Sequence, residues 1–335
     1  MKMSSVGDMS SYFQNTRYNA QLKETMERLS YELTSGQKSN VAAAVSGDFA
    51  PLASIEHSLS SIKAYKTATN ETALFLSSMQ TALDKIQTDV SELSTGMLTA
   101  GNSGSSQMMG TAALDAFQRF ESTVSALNTR VGGKSLFAGR STDQPALAPS
   151  EDILADLQIA VSAATTSAGV IAAVDAYFDD VGGGFETSGY TGSANTMTDV
   201  RIAQDQTVSI DVKADDQEIR DTLKGMALGA LIHQGTFAGD LDLQSDLLRE
   251  AGTRMLEVDA SLASVRANLG LTEGRVETAS VRNDSEASAL EIARTDMLSI
   301  DPYQVATELT ETQSQLEALY TMTARLSQLS LADYI

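Results

Sequence analysis

Apolar residues recur along much of this chain at steps of three and four, the spacing of one helix face. The longest run is Met255, Val258, Leu262, Val265, Leu269, Thr272, Val276 and Ala279, in which Thr272 alone is polar. A seam kept through more than three heptads predicts a helix packed on other helices, with Met255, Val258, Leu262, Val265, Leu269 and Val276 as bundle core. Near the N-terminus, Leu22, Met26, Leu29 and Leu33 step by four, three and four, a coiled-coil seam. Blocks at about 51–99 and 111–131 repeat the pattern, the second through Leu114, Phe117, Phe120, Val124, Leu127 and Val131. A further helix is expected over 216–233.

The last helix is announced by its start. In "SIDPYQ", Asp301 is a good N-cap, Pro302 suits the first helical position, and Gln304 is placed to complete a capping box. From about 303 to 331 this helix would span roughly 43 Å. Leu309, Leu316, Leu319 and Leu326 share one stripe on it, and Tyr320 and Leu329 widen that stripe.

Between the helical ends the pattern loosens. Nine of the 23 glycines, and two of the four prolines (Pro145 and Pro149), fall between 132 and 192. Residues 151–181 read as one or two helices, and Val200–Ile202 with Val208–Val212 read as a modest hairpin about Asp205-Gln206. The expected plan is mainly α: an N-terminal helical part (1–140), an inserted α/β segment (141–214) and a C-terminal helical part (215–335) pairing with the first. Amphipathic helices at both ends must pair or bind partners to bury their stripes.

One stretch invites an enzyme reading. Gly132-Gly133-Lys134-Ser135 looks like the tail of a phosphate-binding loop, but that motif needs a glycine at 128, where Asn128 stands. It also needs a preceding strand, whereas a helical pattern precedes it and Gly132 reads as the helix stop. Asp240, Asp242 and Asp246 approach calcium-loop spacing but lack the glycine and the closing glutamate. His57 and His233 lie far apart, and no catalytic elbow or paired-histidine zinc motif occurs. No enzyme activity, cofactor or metal is expected.

Charge and cysteine content narrow the partners. With 44 acidic and 23 basic side chains, the formal charge is −21. Such a surface repels phosphate backbones and anionic headgroups, so neither nucleic acid nor membrane is expected as partner. There is no cysteine, hence no disulfide and no thiolate chemistry. The N-terminal stretch has no apolar core of a cleaved signal, and the best apolar run, "MALGALI", is far too short to cross a membrane.

Several stretches resemble the flagellin family. "LSYELTSGQKSN" (29–40) resembles the turn at which its N-terminal helix ends, and "RANLGLTEGRVE" (266–277) is similar to a motif on its C-terminal coiled-coil helix. Within the family, "SLFAGRSTDQPAL" (135–147) and the final "LSQLSLADYI" resemble the hook–filament junction branch, with Ala332 where that branch has Phe. The family's Asp-Asp-Pro appears here as Gly47-Asp48-Phe49-Ala50-Pro51. The resemblance covers roughly 1–145 and 215–335.

The resemblance implies a flagellin-like fold and a secreted structural protein of the bacterial flagellum, at the junction of hook and filament, required for assembly and motility. Its implied partners are copies of itself in a ring, hook-associated protein 1 on the hook side, flagellin on the filament side, and a flagellar type III export chaperone. The seams Leu22, Met26, Leu29, Leu33 and Leu309, Leu316, Leu319, Leu326 would then be the assembly interface. A filament-building flagellin is the alternative within the family. A secreted helical effector or adhesin-like binding module is the alternative outside it.

Overall fold

The computed structural model describes the backbone of residues 6–332, with side chains for residue 10 and residues 12–325. The chain order is α1 (Val6–Ser35), a single-turn α2 (Val41–Ala44), α3 (Ala50–Ser103) and α4 (Ser106–Leu127). Then come β1 (Arg130–Val131), β2 (Lys134–Ser135), α5 (Ser150–Val161), α6 (Ser167–Asp179), a π-helical turn (Phe185–Gly189), β3 (Val200–Ala203) and β4 (Gln206–Val208). Three helices close the chain: α7 (Gln217–His233), α8 (Leu241–Leu298) and α9 (Pro302–Ala332). Two compact units result, one from the residues up to Lys63 with those from Ser285 onward, the other from Ala64–Asp284.

The Ala64–Asp284 unit is a helical bundle. The inner face of α3 contributes Leu76, Met79, Leu83, Ile86, Val90, Leu93 and Met97, all fully buried. Facing it are Met109, Ala113, Ala116, Phe120 and Leu127 of α4. The apolar run of "MALGALI" is the interior of α7, which is buried from Thr222 to Ile232 on every side. A helix apolar all round belongs at the centre of a core. No described helix is long and apolar enough to cross a membrane.

Of the expected bundle-core seam on α8, Met255, Val258, Leu262, Leu269 and Val276 are buried, and Val265 packs against the same core while half-buried. Gly252 lets α8 approach α3, since a Cβ there would stand 2.7 Å from Leu98 and 3.0 Å from the Ser94 carbonyl.

The stretch that mimics a phosphate loop is a hairpin. The helix expected over 111–131 ends at Leu127, capped by Asn128, and Arg130–Val131 pairs antiparallel with Lys134–Ser135. Gly132 and Gly133 form the turn with φ of 58° and 81°, both positive, as a type I′ turn requires. The glycines therefore reverse a strand pair instead of stopping a helix. Directly after the hairpin the chain dives inward: Leu136, Phe137 and Ala138 lie in the core. Their backbone is held from two sides, the Phe137 carbonyl accepting from Ala214 N–H at 2.9 Å and the Ala138 carbonyl from Ser193 N–H at 2.9 Å.

Residues 141–214 do not stand apart from the bundle. Ile153, Leu154 and Leu157 of α5, Val170, Val174 and Phe178 of α6, and Phe185 join the same core as α3, α4, α7 and α8. Their apolar surface is satisfied by the bundle, so composition marks a change of texture here but not a separate unit. Ion pairs bind the edge of α6 to its neighbours. Arg254 of α8 donates to both oxygens of Asp175, and Lys224 of α7 reaches Asp179 and Asp221.

The helix starts follow ordinary capping. Ser105 accepts from Met108 N–H, Thr166 from Gly169 N–H, and Asp240 from Leu243 N–H. Asp240 is thus a helix cap, and among the described residues no group of His, Asp or Glu side chains could hold a metal ion. His233 packs its ring against Phe117, with centroids 5.0 Å apart.

Candidate assembly interface

The unit made of the chain ends is built on α1 and α9. Tyr18, near the middle of α1, donates its hydroxyl to Gln315, near the middle of α9, at 3.2 Å. Gln37, just past α1, bridges to Ser299, just before α9. The two helices therefore run antiparallel. Hydrogen bonds with Asn19 and then Lys23 pull the Tyr320 phenol below its ordinary pKa, a further tie from α9 to α1.

The α9 side of the pair is a heptad seam of steps four, three, four and three. Val305, Thr312 and Leu319 are buried, and Leu309 and Leu316 between them are half-buried. Thr312 brings its hydroxyl in at little cost, because it donates to the Glu308 carbonyl one turn back at 2.7 Å. Asp301 caps the helix as expected, accepting from the amides of Tyr303 and Gln304 at 2.9 and 3.2 Å. The capping box is not completed: Gln304 turns its amide to Glu308 instead.

On α1, Leu22 and Leu29 are buried and Met26 is half-buried. Leu33 is 39% exposed, and the buried position in that turn belongs to Glu32, 5% exposed. At 3.6 residues per turn either residue can follow Leu29 on the seam, and local chemistry decides for Glu32. Its carboxylate accepts from the Ser39 amide at 3.0 Å, the Ser39 hydroxyl at 2.6 Å and Arg28 at 3.0 Å. Burial pushes its pKa up, but the hydrogen bonds from Ser39 and Arg28 outweigh that and leave it below the ordinary value.

Glu32 thereby secures the turn that ends α1. Gly36 sits there at φ 71°, with its amide on the Glu32 carbonyl at 2.8 Å. A left-handed residue just past the last helical turn is the usual place for glycine. From this turn the chain meets the end of α8 and the link before α9 through Lys38 N–H to the Leu298 carbonyl at 2.8 Å and Ile300 N–H to the Gly36 carbonyl at 3.1 Å.

Large apolar side chains remain outside the pair. Tyr12 is 71% exposed, Phe13 64%, Tyr31 64%, Tyr303 85% and Met322 65%. Single exposed apolar residues are common on any protein; four of these five, Tyr12, Phe13, Tyr31 and Tyr303, are aromatic and lie on the two helices of this unit. Leu326 lies on α9 outside the residues whose side chains are described.

Residues 257–335, which span the later part of α8 and all of α9, match the family model of the bacterial flagellin C-terminal helical region. Among solved structures, FlgL of Bacillus cereus is similar over 72% of this chain and 100% of its own, with TM-score 0.51 at 14% identity. A Vibrio parahaemolyticus protein described as flagellar hook-associated aligns over 71% of this chain and 95% of its own, at 18% identity and TM-score 0.41. No curated protein matches. At 14% identity the likeness to the Bacillus cereus protein establishes a mainly α, flagellin-like fold.

Proposed function

We propose that this chain is a secreted structural subunit of the bacterial flagellum that joins hook to filament. The observation that carries the reading is the α1–α9 pair. Both chain ends meet in one antiparallel unit, the α9 half of it flagellin-type, and exposed aromatics remain around the pair for neighbours to cover. Copies of the chain would form a ring through this unit, with Leu22, Met26, Leu29, Leu309, Leu316 and Leu319 ordering the pair and Leu33 on its rim. Hook-associated protein 1 would lie on one side of the ring and flagellin on the other. A flagellar type III chaperone would guard the exposed stripe of α9 before export. The chain works by packing, and no step of this role calls for catalysis.

The junction is favoured over the filament by residues 135–147, whose Leu-Phe-Ala-Gly stretch resembles the junction branch and forms the buried root of the insert. Electron microscopy of a deletion strain tests the proposal. Bare hooks with flagellin released to the medium are expected. Filaments of normal length on such hooks would overturn it, and loss of filament with no flagellin anywhere would favour a filament subunit.

A further inference from the structure

Helices α3 and α8 run antiparallel along the bundle. Ser245 meets the Gly101 carbonyl, Gln80 the Arg266 carbonyl at 2.8 Å, and Lys66 pairs with Asp284 at 2.6 Å. Helix α4 covers only part of this pair. Arg119 and Ser122 of α4 bond to Asp89 and Lys85 of α3, so its end at Leu127 lies level with about residue 80 of α3. Further toward Lys66 and Asp284, the β3–β4 hairpin lies on α8 instead. Asn283 donates its side-chain amide to the Ile202 carbonyl at 2.8 Å, and Arg275 donates to the Thr207 carbonyl at 3.0 Å. Val276 and Ala279, between these two grips, are buried, as are Ile202 and Val208 of the hairpin.

The hairpin is poorly built to stand alone. Its strands have four and three residues, and an isolated two-stranded hairpin is marginal in water. Val200 pairs with Val208 and Arg201 with Thr207, but Ala203 then pairs with Gln206. That shift leaves Ile202 as the extra residue of a β-bulge, opposite no residue of β4. Ile202 is fully buried, so its carbonyl is shut away from water and needs a donor from elsewhere. Asn283 supplies the bond that the bulge removes. It continues the seam of Val276 and Ala279 by a step of four and is 1% exposed. A polar side chain buried in an apolar seam is thus satisfied by a carbonyl of another element.

We propose that the β3–β4 hairpin is a strap that opens as one unit while the bundle stays folded, and that Asn283 is its latch. Closed, the strap covers Val276 and Ala279. Open, it exposes them to water, so the latch sets whether this part of α8 is core or surface. The ladder of the strap is too short to hold it shut, and the bond that closes it is anchored on α8. Opening therefore breaks only local structure: a short ladder, two side-chain grips and the apolar contact beneath them. The strap is independent of the place proposed for the chain in the flagellum.

Native-state amide exchange of the full-length protein tests this. Amides of residues 200–208 should exchange through one shared opening, at least about 100-fold faster than those of the α7 interior. Asn283→Ala should speed the hairpin amides at least about tenfold more and leave the α7 amides unchanged, because it orphans the Ile202 carbonyl. Should Asn283→Ala fail to fold, Arg275→Gln, at an exposed position, should give the same local speeding. Hairpin and α7 amides that exchange together would overturn the proposal. So would hairpin amides indifferent to both substitutions, or an α7 response as large as that of the hairpin.

Discussion

Glu32 holds Ser39 twice, accepting from its amide at 3.0 Å and from its hydroxyl at 2.6 Å. A buried acid on a coiled-coil helix is thereby made into the clasp of the turn after α1. Glu32→Ala should leave two donors of Ser39 without their partner and cost about 1–3 kcal/mol in the end unit. Amide exchange at Ser39 should accelerate accordingly, while amides in the Ala64–Asp284 core keep their rates.

The same clasp sets an acid response. Because the folded pKa of Glu32 lies below its ordinary value of 4.5, its contribution is present above that value. It is lost as pH falls through the folded value. Exchange at Ser39 should therefore speed up below about pH 4.5 in the native chain and lose that pH dependence in Glu32→Gln. A native protein whose Ser39 exchange shows no acid-induced opening beyond that of Glu32→Gln would contradict this.

The core seam of α8 should not respond uniformly. Leu269 is buried and Val265 is half-buried. Leu269→Ala should cost about 2–5 kcal/mol, measured by urea unfolding, and Val265→Ala distinctly less. Equal losses at the two positions would mean that Val265 is as closely packed as Leu269.

The Arg254–Asp175 pair ties α6 to α8. Hydrogen bonding to Asp175 is the largest influence on Arg254 and raises its pKa further. Asp175→Asn should destabilise the unit by about 1–3 kcal/mol, with α6 becoming the first segment cut by protease. A double-mutant cycle with Arg254→Gln should give a coupling well above that of an exposed surface pair.

Leu319 is the last buried residue of the described α9 seam, and a carboxylate there would have to leave water. Leu319→Asp should separate α1 from α9 at a cost of several kcal/mol and expose both to protease, leaving the melting of the Ala64–Asp284 unit unchanged. Leu316→Asp, at a half-buried position, should do so less. Both are expected to be exported yet to abolish motility. Swimming cells carrying either variant would show that this seam does not hold the assembly together.

Periodicity made the helices legible, and its limits explain the differences. Met255 to Val276 announce themselves because steps of three and four leave no second assignment for an apolar seam. Leu33 against Glu32 is a choice that spacing leaves open, and polarity points to the leucine. The deciding partner, Ser39, lies seven residues away in a turn and leaves no periodic trace. Val305 and Thr312 complete the α9 seam but are hidden when leucines alone are followed. The Gly132-Gly133 pair reads equally as helix stop or hairpin turn until the strand residues beside it are seen to pair. Glycine and proline content suggested a separate insert, yet Ile153, Val170 and Phe178 are buried in the bundle core, a long-range fact that composition does not carry.

The proposed place of this chain is a ring between hook and filament, built by the paired chain ends. Immunogold labelling of isolated flagella with antibody to this chain tests it most directly. A single cluster of gold at the hook–filament boundary is predicted. Label distributed along the filament, or absent from flagella altogether, would contradict it.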